Sequence, residues 1–93
     1  MKMESFESVW DAIEDTPAEA ANMKARAELM TAIREKVETW KVTQAVAAKR
    51  LKLTQPRMND LIRGRINKFS LDALMKMAFD AGLTVSLKVR KAA

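Results

Sequence analysis

The side chains best suited to chemistry in this sequence are amides and guanidinium groups gathered in a short stretch, residues 44–59. Gln and Asn can form paired hydrogen bonds with adenine, and Arg with guanine, along the base edges exposed in the DNA major groove. Gln55, Arg57 and Asn59 are therefore candidates for contacts with bases, and Gln44 is a further candidate. The alternative interpretation is that these side chains are ordinary solvated polar groups with no binding role.

Two short helices joined by a tight turn would position these side chains. Thr43 is a good N-cap for the first helix, and Thr54 is a good N-cap for the second. Pro56 lies in the first turn of the second helix, where it removes no hydrogen bond. Gly64 is expected to end that helix.

Hydroxyl and basic groups near the helix ends are candidates for contacts with DNA phosphates, because helix N-termini and cations both favour anions. These candidates are Thr43, Thr54, Arg63, Arg65 and Lys68. Asp60 is less suited to lie beside DNA, and we expect it to orient Arg57 or Arg63 instead.

Residues 43–51 (TQAVAAKRL) and 54–65 (TQPRMNDLIRGR), followed by FSLD at 69–72, resemble the Xre/Cro-repressor type of helix-turn-helix family. More closely, they resemble the HigA-like antitoxins of HigBA-type toxin–antitoxin modules. The resemblance extends from about Val9 to Val89. It implies an all-α, lambda-repressor-like fold of four to five helices. Lys52 departs from the family's usual Gly in the turn, where a positive φ is expected.

Composition excludes several classes of function. The chain has 93 residues with no Cys and no His, so the usual thiol nucleophiles, general bases and metal ligands are lacking. No spacing among the remaining polar residues suggests catalysis, and we expect neither an enzyme nor a bound metal or cofactor. No apolar run approaches membrane-span length, and no signal-peptide pattern is present, so a cytoplasmic protein is expected.

Charge is distributed unevenly along the chain. Residues 1–40 contain nine acidic and five basic residues, whereas residues 41–93 contain twelve basic and three acidic residues. Net charges of −4 and +9 follow from these counts. The basic part suggests a polyanionic partner, and the acidic part suggests a different role.

Periodicity predicts further helices around the two short ones. Residues 5–14 could form a short amphipathic helix. Thr16-Pro17-Ala18-Glu19 is a strong start signal for a long helix that runs to about Thr39. Ser70 is expected to cap a last helix, with Phe79 among its inward-facing residues and Gly82 at its end. This divides the chain into an N-terminal segment (1–16), a helix-turn-helix domain (17–82) and a C-terminal segment (83–93).

The C-terminal segment changes to a period of two, in which Leu83, Val85, Leu87 and Val89 alternate with polar residues. This pattern predicts a single β-strand. Because a lone strand cannot satisfy its own backbone groups, we expect it to pair with the same strand of a second copy. Val85, Leu87 and Val89 are the predicted dimerisation residues, and a frayed tail is the alternative.

Together these observations predict a homodimeric, sequence-specific repressor that binds a palindromic operator in double-stranded DNA. The family resemblance implies in addition that the protein neutralises a small basic, RelE-like ribonuclease toxin and represses their shared operon in a bacterium. Two alternatives stay open at this point. One is a stand-alone Xre-family regulator without a toxin, and the other is a protein-interaction adaptor that does not bind DNA.

Overall fold

The computed structural model describes residues 16–92, which form an all-α helix-turn-helix domain. Its four α-helices and one short 3₁₀ helix are α1 (Pro17–Trp40), α2 (Gln44–Arg50), α3 (Gln55–Ile62), the 3₁₀ helix Ile66–Lys68 and α4 (Leu71–Asp80). The predicted all-α class is confirmed. The short helix expected over residues 5–14 lies outside the described residues.

Side-chain caps explain where the four α-helices begin. A hydroxyl oxygen accepts a hydrogen bond from the backbone N–H three residues later at every start, which satisfies a donor that the helix leaves without a partner. The capping residues are Thr16, Thr43, Thr54 and Ser70, with N···O distances of 3.1, 3.2, 3.3 and 3.1 Å. All four caps were expected from the sequence, and all four are confirmed.

Helices α2, α3 and α4 share one type of ending. The residue after each C-cap has a positive φ, at Lys52 (60°), Gly64 (71°) and Gly82 (87°). The following residue donates a backbone hydrogen bond to the carbonyl five positions earlier, at 2.8, 3.0 and 2.9 Å respectively. This is the Schellman arrangement, which favours glycine at the left-handed position. Lys52 therefore has the positive φ expected for the turn.

The core lies where α1 crosses α4 and where α2 and α3 pack beneath them. Met30 and Ile33 of α1 are buried, as is Leu74 of α4. The helix-turn-helix contributes further side chains that are at most 4 % exposed, namely Ala47, Ala48, Leu51, Met58 and Leu61. Trp40 at the end of α1 is partly buried against this core. Burial of these side chains thus holds α3 in place within the domain.

Two expectations for the C-terminal region are wrong. No β-strand forms anywhere in residues 16–92. Every element near residues 83–92 is a helix whose backbone groups are already paired, so this segment has no ladder partner within its own chain. Phe79 does not face inward but is 77 % exposed on α4.

None of the helices in residues 16–92 combines the length and the apolar composition that crossing a membrane requires. The long helix α1 carries charged side chains along its length, from Glu19 to Glu38.

Candidate nucleic-acid interface

The outer face of α3 presents amide and guanidinium groups to solvent. Gln55 and Arg63 are exposed, and Asn59 is half-buried. These residues are spaced four apart, so their side chains lie along one side of the helix. Helix α3 is held from behind by Met58 and Leu61, which are completely buried. The result is a rigid rod whose exposed side can donate and accept hydrogen bonds.

Arg57 points elsewhere, although the sequence predicts it as a base-contacting residue. Its Nη1 atom donates a hydrogen bond of 2.6 Å to the backbone carbonyl of Lys68. Its guanidinium carbon lies 4.2 Å from the centre of the Phe69 ring, within cation–π distance. The structure therefore brings Arg57 to the segment that follows α3 and not to the line of Gln55, Asn59 and Arg63.

Two of the predicted phosphate-contacting cations, Arg65 and Lys68, follow α3 in the sequence. Arg65 Nη1 donates a hydrogen bond of 3.1 Å to Asp60 Oδ1, and the Asp60 side chain is only 16 % exposed. Asp60 therefore orients Arg65, where Arg57 or Arg63 was expected. Lys68 is exposed, and the carbonyl of the same residue accepts the hydrogen bond from Arg57.

The N-terminal ends of α2 and α3 carry the remaining candidates. The hydroxyl oxygens of Thr43 and Thr54 accept the capping hydrogen bonds, and both residues are exposed, so each hydroxyl proton can still be donated outward. Gln44 is exposed and lines a groove of about 340 Å³ whose other walls include Arg34 and Ile62. Gln44 thus lies beside the C-terminal half of α3.

Two arginines of α1 support the site, and the sequence reasoning missed both. Arg26 Nη1 donates hydrogen bonds to the backbone carbonyls of Phe69 (3.2 Å) and Ile66 (3.5 Å). Arg34 Nη2 donates a hydrogen bond of 2.9 Å to the carbonyl of Ile62, at the end of α3. These contacts join residues 28 to 43 positions apart, so no local pattern could have indicated them.

The predicted dimerisation residues do not share one environment. Val85 is partly buried against the core of its own chain. Leu87 and Val89 are 79 % and 91 % exposed. Exposed Phe79 lies beside Leu83 and Val85, with which it lines a shallow cavity.

Comparison with known proteins agrees with this geometry. Residues 12–90 match the family described as "Helix-turn-helix domain", which is most of the chain. The chain belongs to this helix-turn-helix family. The match spans α1 to α4 and reaches into the C-terminal segment.

One solved structure with a similar fold is named as an XRE family transcriptional regulator. Its TM-score is 0.72 and its sequence identity is 26 %, over 78 % of this chain and 82 % of that chain. The search of curated proteins gave no significant match. The family and the structural neighbour together support an Xre-type helix-turn-helix protein with a DNA-binding, transcription-regulating role.

Proposed function

We propose that this protein is a sequence-specific DNA-binding repressor that inserts α3 into the major groove. The observation that carries the proposal is the line of exposed Gln55, half-buried Asn59 and exposed Arg63 along α3 and its C-cap, on a helix held from behind by completely buried Met58 and Leu61. A helix of this kind fits the width of the major groove, where amide side chains can distinguish adenine. Gln55 and Asn59 are the proposed base contacts, with Gln44 at the edge of the same surface.

Phosphate contacts would supply most of the affinity. The proposed donors are the hydroxyls of Thr43 and Thr54, which cap α2 and α3, and the side chains of Arg63, Arg65 and Lys68, which follow α3 in the sequence. Each cation that meets a phosphate releases counterions, so binding weakens as salt rises. Three such cations in each copy of a dimer predict a slope of about −5 for log K against log salt.

We also propose that the protein binds its operator as a homodimer. Phe79, Leu87 and Val89 expose large apolar side chains to solvent, which favours their burial against a second copy. Two α3 helices about 34 Å apart would then occupy successive major grooves on one side of a palindrome. Repression follows from occupancy, because RNA polymerase and the dimer cannot hold the same DNA.

Titration of the full chain with DNA tests this function. Fluorescence anisotropy with the DNA upstream of its own gene, against shuffled DNA of the same composition, should show preferential binding that weakens steeply between about 50 and 200 mM salt. Equal affinity for both sequences at every salt concentration would contradict sequence-specific binding. No binding to either DNA would favour the adaptor role instead.

A second function rests on the resemblance to HigA-like antitoxins and on charge. Residues 1–40 have a net charge of −4, which complements a small basic ribonuclease of the RelE-like kind. Co-expression with the product of the neighbouring gene, followed by purification through a tag on this chain, tests for a complex and for loss of ribonuclease activity. A neighbouring gene product that neither binds nor is inhibited would leave the stand-alone regulator.

A further inference from the structure

Arg57 differs from Gln55 and Asn59 of α3 in the direction of its side chain. It lies two residues after Gln55, and two residues correspond to a rotation of about 200° around the helix axis. Its guanidinium group consequently leaves the exposed face and reaches the segment 66–70. There it donates a 2.6 Å hydrogen bond to the Lys68 carbonyl and covers the ring of Phe69, which is 1 % exposed.

The segment that Arg57 contacts includes Lys68, which is a proposed phosphate-contacting residue. Its backbone is tied to α1 through Arg26, which donates to the carbonyls of Ile66 and Phe69. Arg57 ties the same segment to the first turn of α3. Lys68 is therefore held at a defined distance from the first turn of α3, which begins with Gln55.

We infer that Arg57 is a positioning residue, which holds the 3₁₀ helix Ile66–Lys68 against α3 so that Lys68 meets a phosphate when α3 enters the groove. This role rests on the proposed DNA binding and extends it. A base contact by Arg57 would have to replace both the hydrogen bond to the Lys68 carbonyl and the stacking on Phe69. Arg57 consequently contributes to affinity for every DNA sequence and not to the choice between bases.

Hydrogen exchange on the free protein tests the positioning step. The backbone N–H groups of Lys68 and Phe69 donate to the carbonyls of Arg65 and Ile66, so their exchange reports on the order of the 3₁₀ helix. We expect Arg57→Met to raise both exchange rates about tenfold, and Arg57→Lys to raise them less. Gln55→Met, on the exposed face of the same helix, is the matched control and should leave them unchanged.

A double-mutant cycle on DNA tests the consequence. Arg57→Met should weaken operator binding about tenfold, by the same factor for the operator and for its single-base variants. In a chain that already carries Lys68→Ala, Arg57→Met should weaken binding by less than about twofold, because the two residues act through one contact. Circular dichroism checks that each variant is folded.

Three results would separate the possible failures. Unchanged exchange at Lys68 and Phe69 in folded Arg57→Met would overturn the positioning role while leaving the proposed DNA binding intact. If Arg57→Met loses discrimination at a single operator position, and its effect on binding adds to that of Lys68→Ala, then Arg57 is a base-contacting residue. Absence of DNA binding by the unaltered chain would overturn the proposed function itself.

Discussion

The segments that follow α3 and α4 start in the same way and then differ. Each begins with a glycine of positive φ, Gly64 or Gly82, in the same backbone hydrogen-bond pattern. The segment after α3 continues into a 3₁₀ helix and reaches Phe69, which is 1 % exposed. The segment after α4 continues without regular structure to residue 92, and Val89 within it is 91 % exposed.

The two segments differ in the hydrogen bonds that they receive from side chains elsewhere in the chain. Arg26 and Arg57 donate hydrogen bonds to three backbone carbonyls between Ile66 and Phe69. In the second segment, the side chains of Leu83 and Val85 pack against the apolar core. Guanidinium groups on carbonyls are directional and fix a backbone, whereas apolar contact alone permits several arrangements.

An alternating pattern such as that of residues 83–90 is therefore not sufficient for a strand. Alternation shows which side chains share a face, but a strand also needs a neighbouring backbone with free N–H and C=O groups. Helices α1 to α4 offer none. The segment after α3 has no regular pattern in sequence, yet its position is well defined because long arginine side chains reach it.

The largest expected effect comes from removing the apolar anchor of the segment after α3. Phe69→Ala should lower the free energy of unfolding by about 3–5 kcal/mol, because the ring is completely buried and Arg57 stacks on it. Urea unfolding followed by circular dichroism measures the change. Phe69→Leu is the control and should lose far less. A loss below about 1 kcal/mol for Phe69→Ala would contradict the account of this anchor.

A smaller effect is expected at the start of the same segment. Gly64→Ala should lower the free energy of unfolding by about 1–2 kcal/mol, because φ is 71° and the new Cβ would lie 3.1 Å from Arg34 Nη1. Gly82→Ala is the matched control, since φ is 87° and the nearest atom, Lys36 Cε, is 4.0 Å away. Equal losses in the two variants would show that the contact with Arg34 adds nothing.

The end of α2 has a lysine, Lys52, at the left-handed position, and there we expect a substitution to increase stability. Lys52→Gly should raise the free energy of unfolding by about 0.5–1 kcal/mol by relieving the positive φ of 60°. The ion pair lost with Asp80 offsets little of this, because it is 3.8 Å long and the lysine is 73 % exposed. Thermal unfolding measures the shift, and a lower melting temperature would contradict the prediction.

The smallest effect on the single chain is expected in the C-terminal segment. Leu87→Ser combined with Val89→Ser should change the unfolding free energy of a monomer by less than about 0.5 kcal/mol, since both side chains are exposed. The same change should shift the proposed dimer toward monomer in light scattering. Thr84→Ala with Ser86→Ala is the control and should leave the mass unchanged. A dimer that survives the double serine change would place the interface elsewhere.

Much of the fold could be predicted because its signals are local. Thr16, Thr43, Thr54 and Ser70 each lie next to the helix they cap, so a few neighbouring residues were enough to predict where each helix begins. The positive φ of Lys52 followed from its place in the turn.

What could not be predicted depends on contacts between distant residues. The burial of a helix position depends on which neighbour covers it, and none covers Phe79 within residues 16–92. The direction of Arg57 depends on a carbonyl eleven residues away, and the partner of Asp60 depends on how α3 ends. The residues predicted to contact bases and phosphates stay predictions until DNA binding is measured.

The most direct test of the central claim, that the exposed face of α3 selects the DNA sequence, is the base preference of Asn59→Ala. The operator is first located by footprinting. The affinity of the Asn59→Ala variant is then measured for this operator and for a full set of its single-base variants. We predict that discrimination falls by about 1–3 kcal/mol at one position in each half-site and is retained elsewhere. If the Asn59→Ala variant and the Gln55→Ala variant both keep the complete base preference of the unaltered protein, the claim is contradicted.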